Sequence, residues 1–189
     1  MKILCFGDSN TYGYDPRSCF GERYEECWTD LLARDLGCAV INAGENGREI
    51  PRRDAELQRF CRLLHIHHPD LLIVMLGTND LLQGNTPEAV AKRMEHFLSR
   101  IPLDRSKLLL IAPPPMKLGG WVPDQILVDG SGALHRLYGN LAGQLGIRYQ
   151  NWEMPVAFDG VHLTQEGHRI LGSRLSEFIK SEVRDEQHQ

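Results

Sequence analysis

The chain has no unbroken apolar stretch of about 18 residues, so nothing in it is long enough to cross a bilayer as a helix. Positive charge is not in excess. Twenty-one Lys and Arg against 25 Asp and Glu leave a formal charge of -4, which excludes the concentrated basic surface that a nucleic-acid backbone requires. There is no internal repeat and no low-complexity segment, so repeat architectures are excluded as well. Cysteine is sparse: Cys5, Cys19, Cys27, Cys38 and Cys61 are odd in number and form no CxxC pair, which fits neither a metal ribbon nor a complete disulfide framework. They read as reduced thiols, with Cys5 packing as a small hydrophobe. The apolar run Ile3 to Phe6 is too short for a signal-peptide core and meets Gly7-Asp8-Ser9 at once. These absences together predict a soluble, cytoplasmic chain with no membrane span and no nucleic-acid partner.

What is present is an ordinary globular composition, 42% apolar and 24% charged over 189 residues, enough for one compact core. The expectation is a single domain over 1-184 and a frayed polar tail over 185-189. Short apolar runs alternate with segments of helical period, the pattern of a parallel sheet covered on both faces. Five strands are predicted: Ile3 to Phe6, Ala39 to Asn42, Leu71 to Leu76, Leu108 to Ala112, and a weaker one near Ile147 to Tyr149. The first, third and fourth are apolar almost throughout and belong in the middle of the sheet.

Helical spacing links Trp28, Leu31, Leu32 and Leu36, then Leu57, Phe60, Cys61 and Leu64. Thr86-Pro87 reads as an N-cap with proline at the first helical position, ahead of Val90, Met94, Phe97, Leu98 and Ile101. Leu134, Leu137, Tyr138, Leu141 and Leu145 mark another helix, and Thr164 caps a last one. Between them, 113-132 is rich in Pro and Gly and is predicted to be one long loop walling a ligand crevice.

Polar clusters follow the first three strands: Gly7-Asp8-Ser9-Asn10, Asn42 to Gly47, and Gly77-Thr78-Asn79-Asp80. In a parallel sheet they emerge at one edge. A fourth cluster, Asp159-Gly160-Val161-His162, precedes the final helix. A serine hydroxyl is a poor nucleophile until a base takes its proton, and the base needs a third group to fix its tautomer. Ser9, His162 and Asp159 supply these parts, and three residues separate the Asp from the His, a distance one turn can close. Acyl transfer also needs donors where charge develops on the carbonyl oxygen. The backbone N–H groups of Ser9 and Gly44 and the side-chain amide of Asn79 are the candidates.

In order and spacing, these four blocks resemble the SGNH (GDSL-type) hydrolase superfamily: GDSN with Ser9, the Gly44 block, GTND with Asn79, and DGVH with Asp159 and His162. The resemblance implies a flavodoxin-like three-layer α/β/α sandwich with a five-stranded parallel sheet. It also implies the catalytic and oxyanion roles just given, and neither a metal nor an organic cofactor. GDSNTYG and NAGENGR are similar to the arylesterase and lysophospholipase-related branch, which implies a serine esterase acting on short acyl, notably acetyl, esters. A homo-oligomer is compatible with the same branch. Glu49-Ile50 departs from it, standing where hydroxyl residues are common.

Three alternatives stay open on sequence: deacetylation of a carbohydrate, thioester hydrolysis by the same machinery, and a flavin- or phosphate-binding module built on the Gly7-Asp8-Ser9 turn. Asp8 and Asp80 are expected to orient loops. His65, His67 and His68 are expected to close a helix rather than hold a metal, and His168 to lie on the surface of the last helix. Trp121, Ile126 and Leu127, with Tyr12 and Tyr14, are either walls of the substrate pocket or anchors of their own loops.

Overall fold

The computed structural model describes residues 1-186. Five strands, β1 Lys2–Gly7, β2 Ala39–Gly44, β3 Leu71–Met75, β4 Leu108–Ile111 and β5 Arg148–Gln150, form one all-parallel sheet in the order β2-β1-β3-β4-β5. The three apolar runs occupy its middle. Side chains alternate across the pleat. Leu4, Phe6, Leu72, Val74, Leu108 and Leu110 face one core, and Ile3, Cys5, Leu71, Ile73, Leu109 and Ile111 face the other.

Seven α-helices lie among the described residues: α1 Ser9–Tyr12, α2 Trp28–Leu36, α3 Asp54–His67, α4 Thr78–Leu82, α5 Pro87–Ser99, α6 Gln125–Leu145 and α7 Gln165–Glu186. Helices α2 and α7 cover one face of the sheet through Trp28, Leu32, Leu171, Leu175 and Ile179. Helices α3, α5 and α6 cover the other through Phe60, Leu64, Met94, Phe97, Leu134 and Tyr138. The result is the flavodoxin-like three-layer sandwich. Phe6, Phe60 and Phe97 lock the second face, with ring centroids 4.7, 4.9 and 5.9 Å apart. Aromatic pairs of this kind contribute about 0.5–1.5 kcal/mol each beyond their buried area. No helix of the described residues is long and apolar enough to cross a membrane.

Two expectations are corrected. The predicted loop over 113-132 ends early, because Asp124 accepts the Leu127 N–H at 3.2 Å and caps α6. Gly130 and Gly132 masked that start, each lowering helix propensity by about 1 kcal/mol. Burial of Ser131, Leu134 and Tyr138 prevails over them. Helix α7 runs to Glu186, and residues 187-189 of the expected 185-189 tail lie outside the described residues. His168 is not a surface residue. It is fully buried, its Nδ1 accepts the Trp28 N–H at 3.3 Å, and its ring sits edge-on to Tyr24. His65 and His67 do lie in the last turn of α3, and His68 is the left-handed residue that ends it.

Burial, reinforced by the Arg23 charge, pushes the His168 pKa down to about 4. A histidine held neutral stabilises the fold above its ordinary value near 6.5 and loses that contribution as pH falls through the folded value. Thermal unfolding should therefore show the wild type losing stability between those two pH values more steeply than His168→Gln. The difference should be of order 3 kcal/mol across the window. Parallel slopes for the two proteins would remove His168 as the cause.

Candidate active site

Strand β1 delivers Asp8 and Ser9 to the carboxyl edge of the sheet, beside the point where strand order reverses between β1 and β3, the usual crevice of an open α/β sheet. Asp8 caps α1, its Oδ1 accepting the Asn10 N–H at 2.9 Å. Ser9 is the first residue of that helix, so its own N–H has no intrahelical acceptor. Burial drives the Asp8 carboxyl up to about 6, against the lowering pull of the Asn10 N–H and the nearby His162 and Arg48. Asp8 thus shapes the turn without entering the relay.

The relay closes from the far end of the sequence. Asp159 Oδ1 accepts the backbone N–H groups of Val161 and His162, each at 3.0 Å. Its Oδ2 lies 2.6 Å from His162 Nδ1. Held this way, the imidazole places Nε2 at 2.9 Å from Ser9 Oγ. Asn10 fastens the whole turn, with Nδ2 donating to the Val161 carbonyl at 3.2 Å and Oδ1 accepting the Leu163 N–H at 2.8 Å. Burial would raise the Asp159 pKa, but the His162 contact and the two backbone donors outweigh it and hold the carboxyl below its ordinary value. It therefore stays ionised, as an orienting group must. The Tyr14 ring packs on His162 with centroids 4.5 Å apart.

On the opposite side stands Asn79, second residue of α4, whose Nδ2 donates to the Arg48 carbonyl at 3.0 Å. An amide nitrogen carries two protons, so one remains for a ligand. Gly44 does not join it. Strand β2 runs two residues beyond its predicted end and Gly44 still pairs with Gly7. Its N–H goes to Asn42 Oδ1 at 2.9 Å. What Gly44 provides is clearance, because a Cβ there would lie 2.1 Å from the Tyr12 backbone nitrogen. The glycine that reaches the cleft is Gly47, in the left-handed conformation at φ 75°. Its signal in the sequence was the Asn46-Gly47 dipeptide, a turn-former with positive φ.

Ser9, His162, Asn79 and Gly47 share an open cleft of about 450 Å³, bounded further by Tyr14, Leu82, Gln83, Trp121 and Val161. Trp121 is a wall residue, 65% exposed. Of its two expected companions, Ile126 is an exposed residue of the first turn of α6, and Leu127 packs against the core. Tyr12 gives its backbone to Gly44 and does not line the cleft.

A serine, an imidazole and an ionised carboxylate in sequential hydrogen-bond contact at the edge of a doubly wound sheet define the class as a serine hydrolase. Residues 5-170 match the GDSL-like Lipase/Acylhydrolase family, and the chain belongs to that family. It is 31% identical over 105 residues to an arylesterase of Vibrio mimicus, a match covering 53% of this chain and 48% of that protein. The match thus spans about half the length of the curated relative. Among solved structures, it is similar to the aryl esterase of M. smegmatis at 27% identity and a TM-score of 0.82, covering 95% of this chain and 98% of that one. A carbohydrate acetylesterase family member from Sinorhizobium meliloti gives 28% identity and a TM-score of 0.80, with 96% and 98% covered.

The two glycines separate experimentally. Gly44→Ala must push the Tyr12 backbone aside and should lose more than about 2 kcal/mol of stability, as overpacking against a fixed backbone does. Gly47→Ala has nothing within 4 Å of the new Cβ and meets only left-handed strain of about 1–2 kcal/mol. Chemical denaturation reads both values, and equal losses would contradict the assignment of Gly44 as the spacer.

Proposed function

We propose that this protein is an esterase that hydrolyses short acyl esters, acetyl esters foremost, through an acyl-enzyme on Ser9. The observation that carries the reading is the unbroken contact from Asp159 through His162 to Ser9, 2.6 Å and then 2.9 Å. Ser9 Oγ attacks the acyl carbon while His162 Nε2 takes its proton. The carbonyl oxygen becomes an oxyanion, facing the N–H groups of Ser9 and Gly47 and the free proton of the Asn79 amide. Collapse expels the alcohol, which receives the proton from His162. Water then attacks the acyl-enzyme by the same route and releases the acid. Asp159 remains charged throughout and stabilises the imidazolium.

The small, open cleft and the arylesterases among similar proteins support a short acyl group. A second reading, removal of an acetyl group from a carbohydrate, is favoured by the exposed Trp121, which lines the same cleft as Asn46 and Gln83, and by the Sinorhizobium neighbour. The flavin or phosphate reading has a physical obstacle. The buried Asp8 carboxyl already occupies the α1 N-terminus, where an anion would have to bind.

Ser9→Ala should abolish turnover of p-nitrophenyl acetate, and a fluorophosphonate probe should label the wild type at Ser9 alone. A fully active Ser9→Ala enzyme would falsify the assignment. Asn79→Ala should fold normally and lose about 10²–10³ in kcat, the usual cost of one oxyanion donor. Asp159→Asn keeps the backbone contacts but offers an amide donor to Nδ1, which selects the wrong tautomer. Its kcat should fall by about 10⁴. A panel of aryl acetates and acetylated sugars, ranked by kcat/KM, decides between the two leaving groups.

A further inference from the structure

The loop over 45-50 carries Gly47 into the cleft yet belongs to no helix and no strand. Something must hold it, because displacing a reacting geometry by about 1 Å can cost about 10² in rate. Glu49 and Ile50, at its end, are the residues that depart from the family pattern. Glu49 is bonded to the Arg93 guanidinium directly, and Ile50 is linked to it through Asp80. Arg93 projects from α5, a helix capped by Thr86 and anchored by Val90, Met94 and Phe97. Its Nη1 reaches Asp80 Oδ1 and, at 3.2 Å, Glu49 Oε2, while Nη2 donates to Asn85 Oδ1 at 3.1 Å. Asp80 is fully buried, and its other oxygen accepts the Ile50 N–H at 3.0 Å.

We propose that Arg93 is a positioning residue for the carbonyl-binding side of the cleft, clamping the Gly47 loop and the start of α4 to the same rigid helix. The proposal rests on the reading above that Gly47 and Asn79 supply the oxyanion donors. Asp80 follows Asn79 directly, and Glu49 lies two residues beyond Gly47, so the clamp grips each donor segment close to its donor. The third tie, from Asn79 Nδ2 to the Arg48 carbonyl, joins the two segments to each other. Arg93 touches no reacting atom.

The charges around Asp80 give the clamp a distinctive failure. Besides Arg93, Asp80 faces Glu49 and Asp8, both acidic, and the Tyr138 hydroxyl. Burial raises its pKa, and the Ile50 N–H and Arg93 oppose that rise. Without Arg93, ionising Asp80 would place an uncompensated charge among other carboxylates in a dry site. The donor segments would then part as pH rises.

The test measures kcat and KM on p-nitrophenyl acetate from about pH 6 to about pH 9, the range over which a buried carboxylate freed of its cation would ionise. Arg93→Met should lose about 10- to 100-fold in kcat with KM within about two-fold of wild type, and the loss should deepen at alkaline pH. Arg93→Met/Asp80→Asn, with no carboxylate left to ionise, should lose that alkaline deepening. Glu49→Ala, altering a partly exposed side chain that leaves folding intact, should lower kcat by about three-fold or more at unchanged KM. Wild-type kcat in folded Arg93→Met, or in Glu49→Ala if Arg93→Met does not fold, overturns the clamp. So does an Arg93→Met loss that is the same at every pH. Asn79→Ala run alongside separates the two levels. If it is as fast as wild type, the donor reading itself fails; if it is slow while Arg93→Met is fast, only the clamp does.

Discussion

One side-chain amide brings the two ends of this chain together at the candidate site. Asn10 presents a donor and an acceptor to the backbone on either side of His162, taking the Val161 carbonyl and the Leu163 N–H. That pair joins the first crossover of the sheet to a segment about 150 residues later. Both groups are buried, so leaving either unpaired would cost about 1–3 kcal/mol. Asn10 is itself held, since its carbonyl accepts the Trp28 indole N–H at 2.9 Å, and the Trp28 backbone N–H ends on His168. The hydroxyl and the imidazole meet because a chain of buried polar groups leaves them nowhere else to go.

The two carboxylates near Ser9, Asp8 and Asp159, show how environment sets the charge of like groups. Asp159 is buried but receives three N–H donors, and its charge survives burial. Asp8 is buried with one such donor and an oxygen left without a partner, and burial pushes its carboxyl up to about 6 instead. Donor count decides which acid can serve as a permanent anion.

The layered fold was legible in the sequence because binary pattern and strand burial agree. Continuous apolar runs in β1, β3 and β4 announced the covered middle of a parallel sheet, and parallelism alone sends Ser9 and Asn79 to one edge. The contact of Asp159 with His162 was legible because the two lie within one turn. The place of Gly44 was not read correctly, since Gly44 and Gly47 both follow the predicted end of β2 at Asn42 and nothing in the sequence says where the ladder stops. Only the pairing of Gly44 with Gly7 shows that it is still in the sheet. The start of α6 was hidden by glycines whose intrinsic cost is smaller than the burial around them. The burial of His168 was invisible because polarity, not neighbourhood, is what a sequence displays. Arg93 gave no sign either, because its partners come from two separated stretches of chain, 45-50 and 80-85.

The Trp121 wall of the cleft and the turn that carries Asp159 and His162 are a single piece. The segment carrying Trp121 is bonded to the segment carrying Asp159 through Lys117 N–H to Gly160 O, Gly120 N–H to Phe158 O, and Trp121 N–H to Asp159 O, at 3.0, 3.3 and 2.9 Å. Selectivity in this scaffold is therefore not a detachable module. Lengthening or shortening the 113-124 stretch to admit a new leaving group would move the aspartate with it and trade turnover for breadth. Exchange of the outward-facing indole alone leaves those bonds intact, which makes a single side chain, rather than loop length, the economical handle for evolving a new specificity.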